Sequence, residues 1–470
     1  MAQTPLREAI ATYHDLLTEQ LAADSWTQLA DQLRRRGLYF GERPLCTVLR
    51  PRFLTPEHYA ALQRCVAVLL GAFDKAYRAA LADPTIRAQF APTEWEEELL
   101  RDDPGFSAPS PTGRLDTFFQ TDLDGEDEAP SGGVPHWGHG PRLKLVEYNA
   151  ETPAAPAYND VLTEVFQGLP IMGAFLRDYE VRPLPARHNV LHALLHAFAQ
   201  WSNGTEKPRI GILDWREVPT YSEHLLFADY FNAQGVPAVT CDPRAVEYRD
   251  GKLMAGDFHV TLIYKRVLIS ELIERAGMDS AVVRAVRERA VCMVNPWRCK
   301  LLHKKASLAV LSDERNAALY SPAEQAAIAA HIPWTRRVEE RHTAYDGQQV
   351  DLVPFIAEQR ERLVLKANDE YGGKGIVLGW QASASEWEQA VQTALREPFV
   401  VQERVAIPEE PYPTYSDGKL HVFDRILDTA PFVFDGAYAD GCLTRLSTEA
   451  LVNVTAGGGS SVPTFVVAKR

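Results

Sequence analysis

Four stretches of this sequence carry residues whose types and spacing suit phosphate chemistry. In Leu363-Val-Leu-Lys366-Ala-Asn-Asp-Glu-Tyr-Gly372-Gly373-Lys374-Gly375, an apolar run delivers a lysine and a glycine-rich turn follows. Glycines let backbone N–H groups approach phosphate oxygens, and lysines supply positive charge. An ordinary glycine hairpin reads the same way, and the spacing matches neither G-x-x-x-x-G-K-[ST] nor a G-x-G-x-x-G that opens a helix. Further on, Pro398-Phe-Val-Val-Gln402-Glu403-Arg404-Val405 is a strand running into a hinge. Free backbone groups at such a hinge can read an adenine edge, although most segments of this kind are plain buried strands.

The third stretch is Lys144-Leu-Val-Glu147-Tyr-Asn149-Ala-Glu-Thr-Pro153. Residues two apart on a strand share a face, so Glu147 and Asn149 present a carboxylate and an amide oxygen together. Oxygen donors of this kind suit magnesium, which takes few side chains and completes its shell with water and phosphate. Arg114-Leu-Asp116 repeats the spacing upstream with a cation and an acid. The competing reading is the solvated face of an exposed hairpin. The fourth stretch pairs Thr444-Arg445 with the glycine-rich Asn453-Val-Thr-Ala-Gly457-Gly458-Gly459, which can hold an anion on a guanidinium and backbone amides; the alternative is a flexible C-terminal tail.

The elements that must position these residues follow from pattern. RLDTFFQTD and RLKLVEYNA read as two strands of a hairpin, separated by an acidic, Pro- and Gly-rich stretch at 122–140 that reads as an exposed loop. Residues 5–100 read mostly as helices, and 187–202 as another. The strand 210–213, a helix through Phe231 and a strand at 236–240 form a strand-helix-strand unit, followed by a hairpin turn at 249–252 and a strand at 260–264. Strands are expected near 362–366, 376–378, 399–402 and 432–437. Asp214, Trp215, Glu223 and Tyr264-Lys265-Arg266 fall at strand ends and helix starts, where open α/β sheets place ligands and where capping residues also occur. His188, His192 and His196 form one helical stripe without a carboxylate or thiol partner nearby in sequence, which reads as structural.

Bulk properties narrow the function. With 470 residues the chain needs two or three lobes, and its hydrophobic (46%) and charged (24%) fractions are those of a globular protein. A formal net charge of −14, with basic residues interspersed among acids, argues against a broad face for nucleic acid or membrane. The start carries no secretory pattern, and no apolar run is long enough to span a bilayer. Six cysteines without a C-x-x-C pair read as reduced thiols of a cytoplasmic protein.

Taken together, the four stretches resemble the circularly permuted ATP-grasp proteins, and more distantly glutathionylspermidine synthetase without its amidase domain. In ATP-grasp enzymes of the usual order the E-x-N element follows the lysine and the glycine-rich loop; here it precedes Lys366, which is the mark of the permutation. The resemblance implies an α/β (α+β) architecture: a helical region at 1–110, metal-binding strands and connecting helices at 111–204, an open α/β substrate unit at 205–290, and nucleotide-binding lobes at 291–470. It implies Asp116, Glu147 and Asn149 as magnesium ligands, with Arg114 facing the transferring phosphoryl group. Lys366 would contact the α-phosphate, and Gly372, Gly373, Lys374 and Gly375 would close over the others. Gln402, Glu403 and Val405 would hold adenine, and Arg445 would join the cations around the anionic centre. Pro296-Trp-Arg-Cys-Lys300-Leu-Leu-His-Lys304-Lys305 matches the segment supplying a second nucleotide lysine; Lys305 is favoured, with Lys300 close behind.

The activity implied is ATP- and Mg2+-dependent ligation of a small-molecule or peptide carboxylate to an amine acceptor through an acyl phosphate. Two alternatives remain: a phosphotransferase of the same fold, and a nucleotide-binding scaffold without catalysis.

Overall fold

The computed structural model describes residues 4–121, 142–370, 372–448 and 459–470. The acidic stretch at 122–140 and the Asn453–Gly458 part of the glycine-rich segment therefore lie outside the described residues.

A nine-stranded sheet forms the centre. Thr112–Gln120 and Arg142–Asn149 pair antiparallel, as the hairpin pattern predicts. The first of them pairs in turn with Ala430–Phe434, so this hairpin and the C-terminal strands share one sheet. From there the sheet runs through Tyr438–Ser447 and Lys419–Leu427 to Glu409–Ser416.

The last strand corrects one expectation. Ser460–Lys469 is no loose tail: its first eight residues are buried, and it pairs with Tyr438–Ser447, Arg52–Leu54 and Tyr179–Pro183. Val462, Phe465 and Val467 join one apolar core with side chains of the helical N-terminal region, which explains the placement. The strand expected at 432–437 ends at Phe434 because Asp435 and Gly436 both adopt positive φ and turn the chain.

A second, antiparallel sheet of four strands orders as Thr335–Arg337, Phe399–Glu403, Leu363–Ala367 and Ile376–Leu378. The helix Ala384–Ala394, opened by a Ser383/Glu386 capping box, seals one face with Trp387, whose indole N–H donates to Ile356 O at 3.0 Å. The other face looks onto Thr112–Gln120 and Arg142–Asn149. A third unit is fully parallel, in the order Cys292–Val294, Leu262–Lys265, Ile210–Leu213, Ala238–Cys241. Its chain leaves Ile210–Leu213 to one side and returns on the other, so a topological switch point lies between Ile210–Leu213 and Leu262–Lys265. Arg187–Ser202 is helical as expected, with the His192 and His196 rings 6.1 Å apart along it. All six cysteines are free thiols, five of them buried. Among the described residues no helix is long and apolar enough to cross a membrane.

Candidate active site

The site is built on the register of two strands. Arg114 lies opposite Asn149 and Asp116 opposite Glu147, so all four side chains stand on one face of the hairpin. A bulge follows at Asp116/Thr117. There Thr117 is tied to Thr429, its hydroxyl donating to Thr429 O and its carbonyl accepting from Thr429 N. Bulges re-aim side chains next to functional sites, and this one is held from both sides.

Asp116 is the electrostatic centre. Arg114 Nε reaches its Oδ1 at 2.8 Å and Arg445 Nη2 its Oδ2 at 2.7 Å. Burial pushes the carboxyl pKa up, but the two guanidiniums outweigh that and hold it well below the usual carboxylate range. Arg114 is fully committed, because its Nη1 also donates to Ala154 O at 3.0 Å. Glu147 lies 3.6 Å from Lys305 Nζ. The amide Nδ2 of Asn149 is buried and finds no hydrogen-bond partner among the described residues.

Across the cleft, Lys366 donates to Gln402 Oε1 at 2.6 Å and to Val146 O at 3.4 Å. Burial drives its pKa down to about 8, with Lys305 adding to the fall and Glu147 and Asp116 opposing it. The glycine turn after Leu363–Ala367 depends on its glycines: Gly372, Gly373 and Gly375 all have positive φ. At Gly375 a Cβ would stand 2.5 Å from that of Ala367. At the hinge, Glu403 N and Arg404 N already donate to Trp334 O and Arg362 O, whereas Val405 N has no partner among the described residues. Val146, Ile376, Leu378, Trp380 and Ile407 wall the space beside it.

The residues present fit a magnesium-bound nucleotide triphosphate. Two carboxylates and an amide on adjacent strands form an oxygen donor set, and an orphaned amide N–H waits for an acceptor such as a phosphate oxygen. Among the described residues no group of three or more His, Cys, Asp or Glu is placed to hold a metal ion.

No family model matches the sequence. Among curated proteins, the putative glutamate–cysteine ligase 2-3 of Frankia alni is 25% identical over 340 residues, covering 67% of this chain and 36% of that protein. The chain thus spans about a third of the length of that relative. Among solved structures, a glutathione synthetase-like effector of Globodera pallida in apo form superposes with a TM-score of 0.60 at 10% identity, over 96% of this chain and 99% of the other. D-alanyl-alanine synthetase A of Vibrio cholerae overlaps more partially, with a TM-score of 0.27 at 11% identity over 55% of this chain and 74% of that one. This chain has a glutathione synthetase-like ATP-grasp fold.

Within the ATP-grasp frame the two candidate lysines separate. Lys305, also buried, approaches Glu147 to 3.6 Å, with its ammonium on Glu370 O at the root of the glycine turn. Lys300 is buried behind it, bonded to Glu151 Oε2 at 3.1 Å and Asp369 Oδ1 at 2.8 Å. The chain breaks helix between them: Lys304 is extended, separating Lys300–His303 from Ala306–Ser312. Gln402 and Glu403 are also committed through their side chains, Gln402 to Lys366 and Thr335, Glu403 to Tyr345. Of the hinge N–H groups, that of Val405 alone enters no hydrogen bond among the described residues and can face a base.

Two charged residues in and behind this cleft were not legible from sequence. Glu151, fully buried, accepts from Ile269 N and stands among Lys300, Lys265 and His303; these outweigh burial, the largest single influence, and hold its carboxyl low. Asp428 lies between Lys419–Leu427 and Ala430–Phe434 and lines the cleft with Arg445. A single acid between strands looks like any turn residue, so no local signal marks it.

Asp214, Glu223 and Arg266 sit at the carboxyl ends of the parallel strands and at the following helix, and they neutralise one another. Arg266 bonds Glu223 at 3.2 Å and Pro153 O, so it braces the loop that follows Asn149. Burial pushes Asp214 up to about 6 and its neighbour His224, 3.5 Å away, down to about 3. Trp215 is buried and sandwiched by Arg275, whose guanidinium lies 3.7 Å from the ring centroid.

Proposed function

We propose that this chain is an ATP- and magnesium-dependent ligase that joins a carboxylate to an amine through an acyl phosphate, releasing ADP and phosphate. The observation that carries it is the convergence on one cleft of Arg114, Asp116, Glu147 and Asn149 from one sheet and Lys366, the glycine turn and the open Val405 N–H from another. The ligase printed in the name of the Frankia alni relative and the fold of the Globodera pallida effector point the same way.

The chemical difficulty is repulsion between two anions, a substrate carboxylate and a terminal phosphate, and the chain's cations meet it. Lys366 and Arg445 line the cleft, and Lys305 lies 3.6 Å from Glu147 at its edge. Bound magnesium would add charge neutralisation at the phosphates, on Asp116, Glu147 and Asn149. Phosphoryl transfer relies on positioning and electrostatics more than on a general base, which suits a site rich in fixed charges. The glycine turn, rooted through Glu370 O on Lys305 and through Asp369 on Lys300, would exclude water from a hydrolysable intermediate. Residues 205–290 would supply the acceptor side, at the switch point of the parallel sheet.

The experiment is Glu147→Ala assayed for magnesium-dependent ATP turnover with the acceptor pair found by screening. Turnover should fall by orders of magnitude while the fold, followed by circular dichroism, persists. Intact turnover would remove Glu147, and with it this metal site, from the proposal.

A further inference from the structure

Arg445 is held along one edge only. Asp428 accepts its backbone N–H at 2.9 Å and its Nε at 2.7 Å, and also bonds its Nη2. The same Nη2 reaches Asp116 at 2.7 Å. Nη1 enters no hydrogen bond among the described residues, although the side chain lines the cleft and is 15% exposed. Arg114, by contrast, has all three of its nitrogens engaged. A guanidinium clamped through Nε and Nη2 cannot rotate, so its remaining N–H pair points in a fixed direction.

Asp428 is itself rigid. It is buried, its N–H donates to Arg445 O at 3.1 Å, and the next residue, Thr429, is tied to Thr117 on the metal-type strand. The clamp is therefore referenced to the strand that carries Asp116. A carboxylate serves this purpose better than an amide, because both of its oxygens accept and neither donates.

We propose that Asp428 is a positioning residue that fixes Arg445 so that Nη1 contacts the terminal phosphate of the bound nucleotide; this rests on the nucleotide reading above. Arg445, rather than the fully engaged Arg114, is then the arginine that distinguishes a triphosphate from a diphosphate.

The test needs no knowledge of the carboxylate or the amine. Affinities for Mg-ADP and for the non-hydrolysable Mg-AMP-PNP are measured calorimetrically on the full chain, for wild type, Asp428→Asn and Arg445→Lys. The expected result is a wild-type preference for AMP-PNP that falls about tenfold in both variants, as the loss of one charged hydrogen bond implies, with ADP affinity unchanged. A merely structural role would lower both affinities together in Asp428→Asn, and that outcome overturns the proposal. So does a preserved preference in Asp428→Asn beside a lost one in Arg445→Lys. If wild type binds neither nucleotide, the nucleotide reading itself fails and takes this inference with it, a result distinct from the other two. Should Asp428→Asn not fold, Asp428→Glu, which displaces the carboxylate by one methylene, carries the same comparison.

Discussion

Lys366 gives the account a prediction with a number attached. Its ammonium is buried and its pKa is lowered from 10.5 to about 8. At pH 8.5 such a lysine is about one quarter protonated, whereas a lysine returned to its ordinary value by an adjacent phosphate is almost wholly protonated. Binding of Mg-ATP at pH 8.5 should therefore draw about 0.7 proton into the site, against about 0.1 at pH 7, where the free lysine is already mostly charged. The phosphate groups are fully ionised at the higher pH and contribute little. The assay is titration calorimetry in two buffers of different ionisation enthalpy, whose difference in observed heat reports the proton uptake. Lys366→Met should abolish the difference. The same group sets a pH dependence of stability in the nucleotide-free chain. Below about pH 8 folded and unfolded chains both hold the proton; between about 8 and 10.5 only the unfolded chain does, so stability rises with pH, by up to about 3 kcal/mol. Buffer-independent heats at pH 8.5, or equal uptake in Lys366→Met, would refute the placement of this lysine against the phosphates.

Further outcomes follow from the same geometry. Gly375→Ala sets a Cβ 2.5 Å from that of Ala367 at a φ of +66°, so it should lower stability by about 1–3 kcal/mol in chemical denaturation and weaken Mg-ATP binding; an unaffected variant would mean the turn is not held as described. Lys300→Met uncouples Glu151 from Asp369 and should destabilise the chain by about 3 kcal/mol, read as a lower melting temperature. Lys305→Met should melt close to wild type but lose Mg-ATP affinity at least about tenfold. The opposite pattern in these two variants would exchange their roles.

Much of the site could be read from local spacing. Two residues apart on a strand means one face, and that alone grouped Arg114 with Asp116 and Glu147 with Asn149. The glycines at 372, 373 and 375 announced a turn that side chains would not tolerate, and the positive φ values agree. What spacing does not encode is which distant segment completes the sheet. Asp428 enters the cleft because Ala430–Phe434 pairs with Thr112–Gln120, a long-range contact with no trace in the residues around it. Nor does sequence distinguish a charge that waits for a ligand from one neutralised in the interior. Arg266, Glu223 and Lys300 looked as available as Lys305, yet Arg266 pairs with Glu223 and Lys300 with Glu151 in the interior. The C-terminal strand was missed because its glycine-rich approach outweighed the short apolar run beyond it.

The most direct test of the central claim is magnesium-dependent ADP and phosphate release, screened against pools of amino acids, short peptides and polyamines with mass detection of products. The account predicts one acceptor pair that yields an amide together with ADP and phosphate in equal amounts, and no product in Glu147→Ala. A phosphorylated acceptor without free phosphate, or ATP bound but untouched across every pool, would contradict the ligase and leave the fold with a different task.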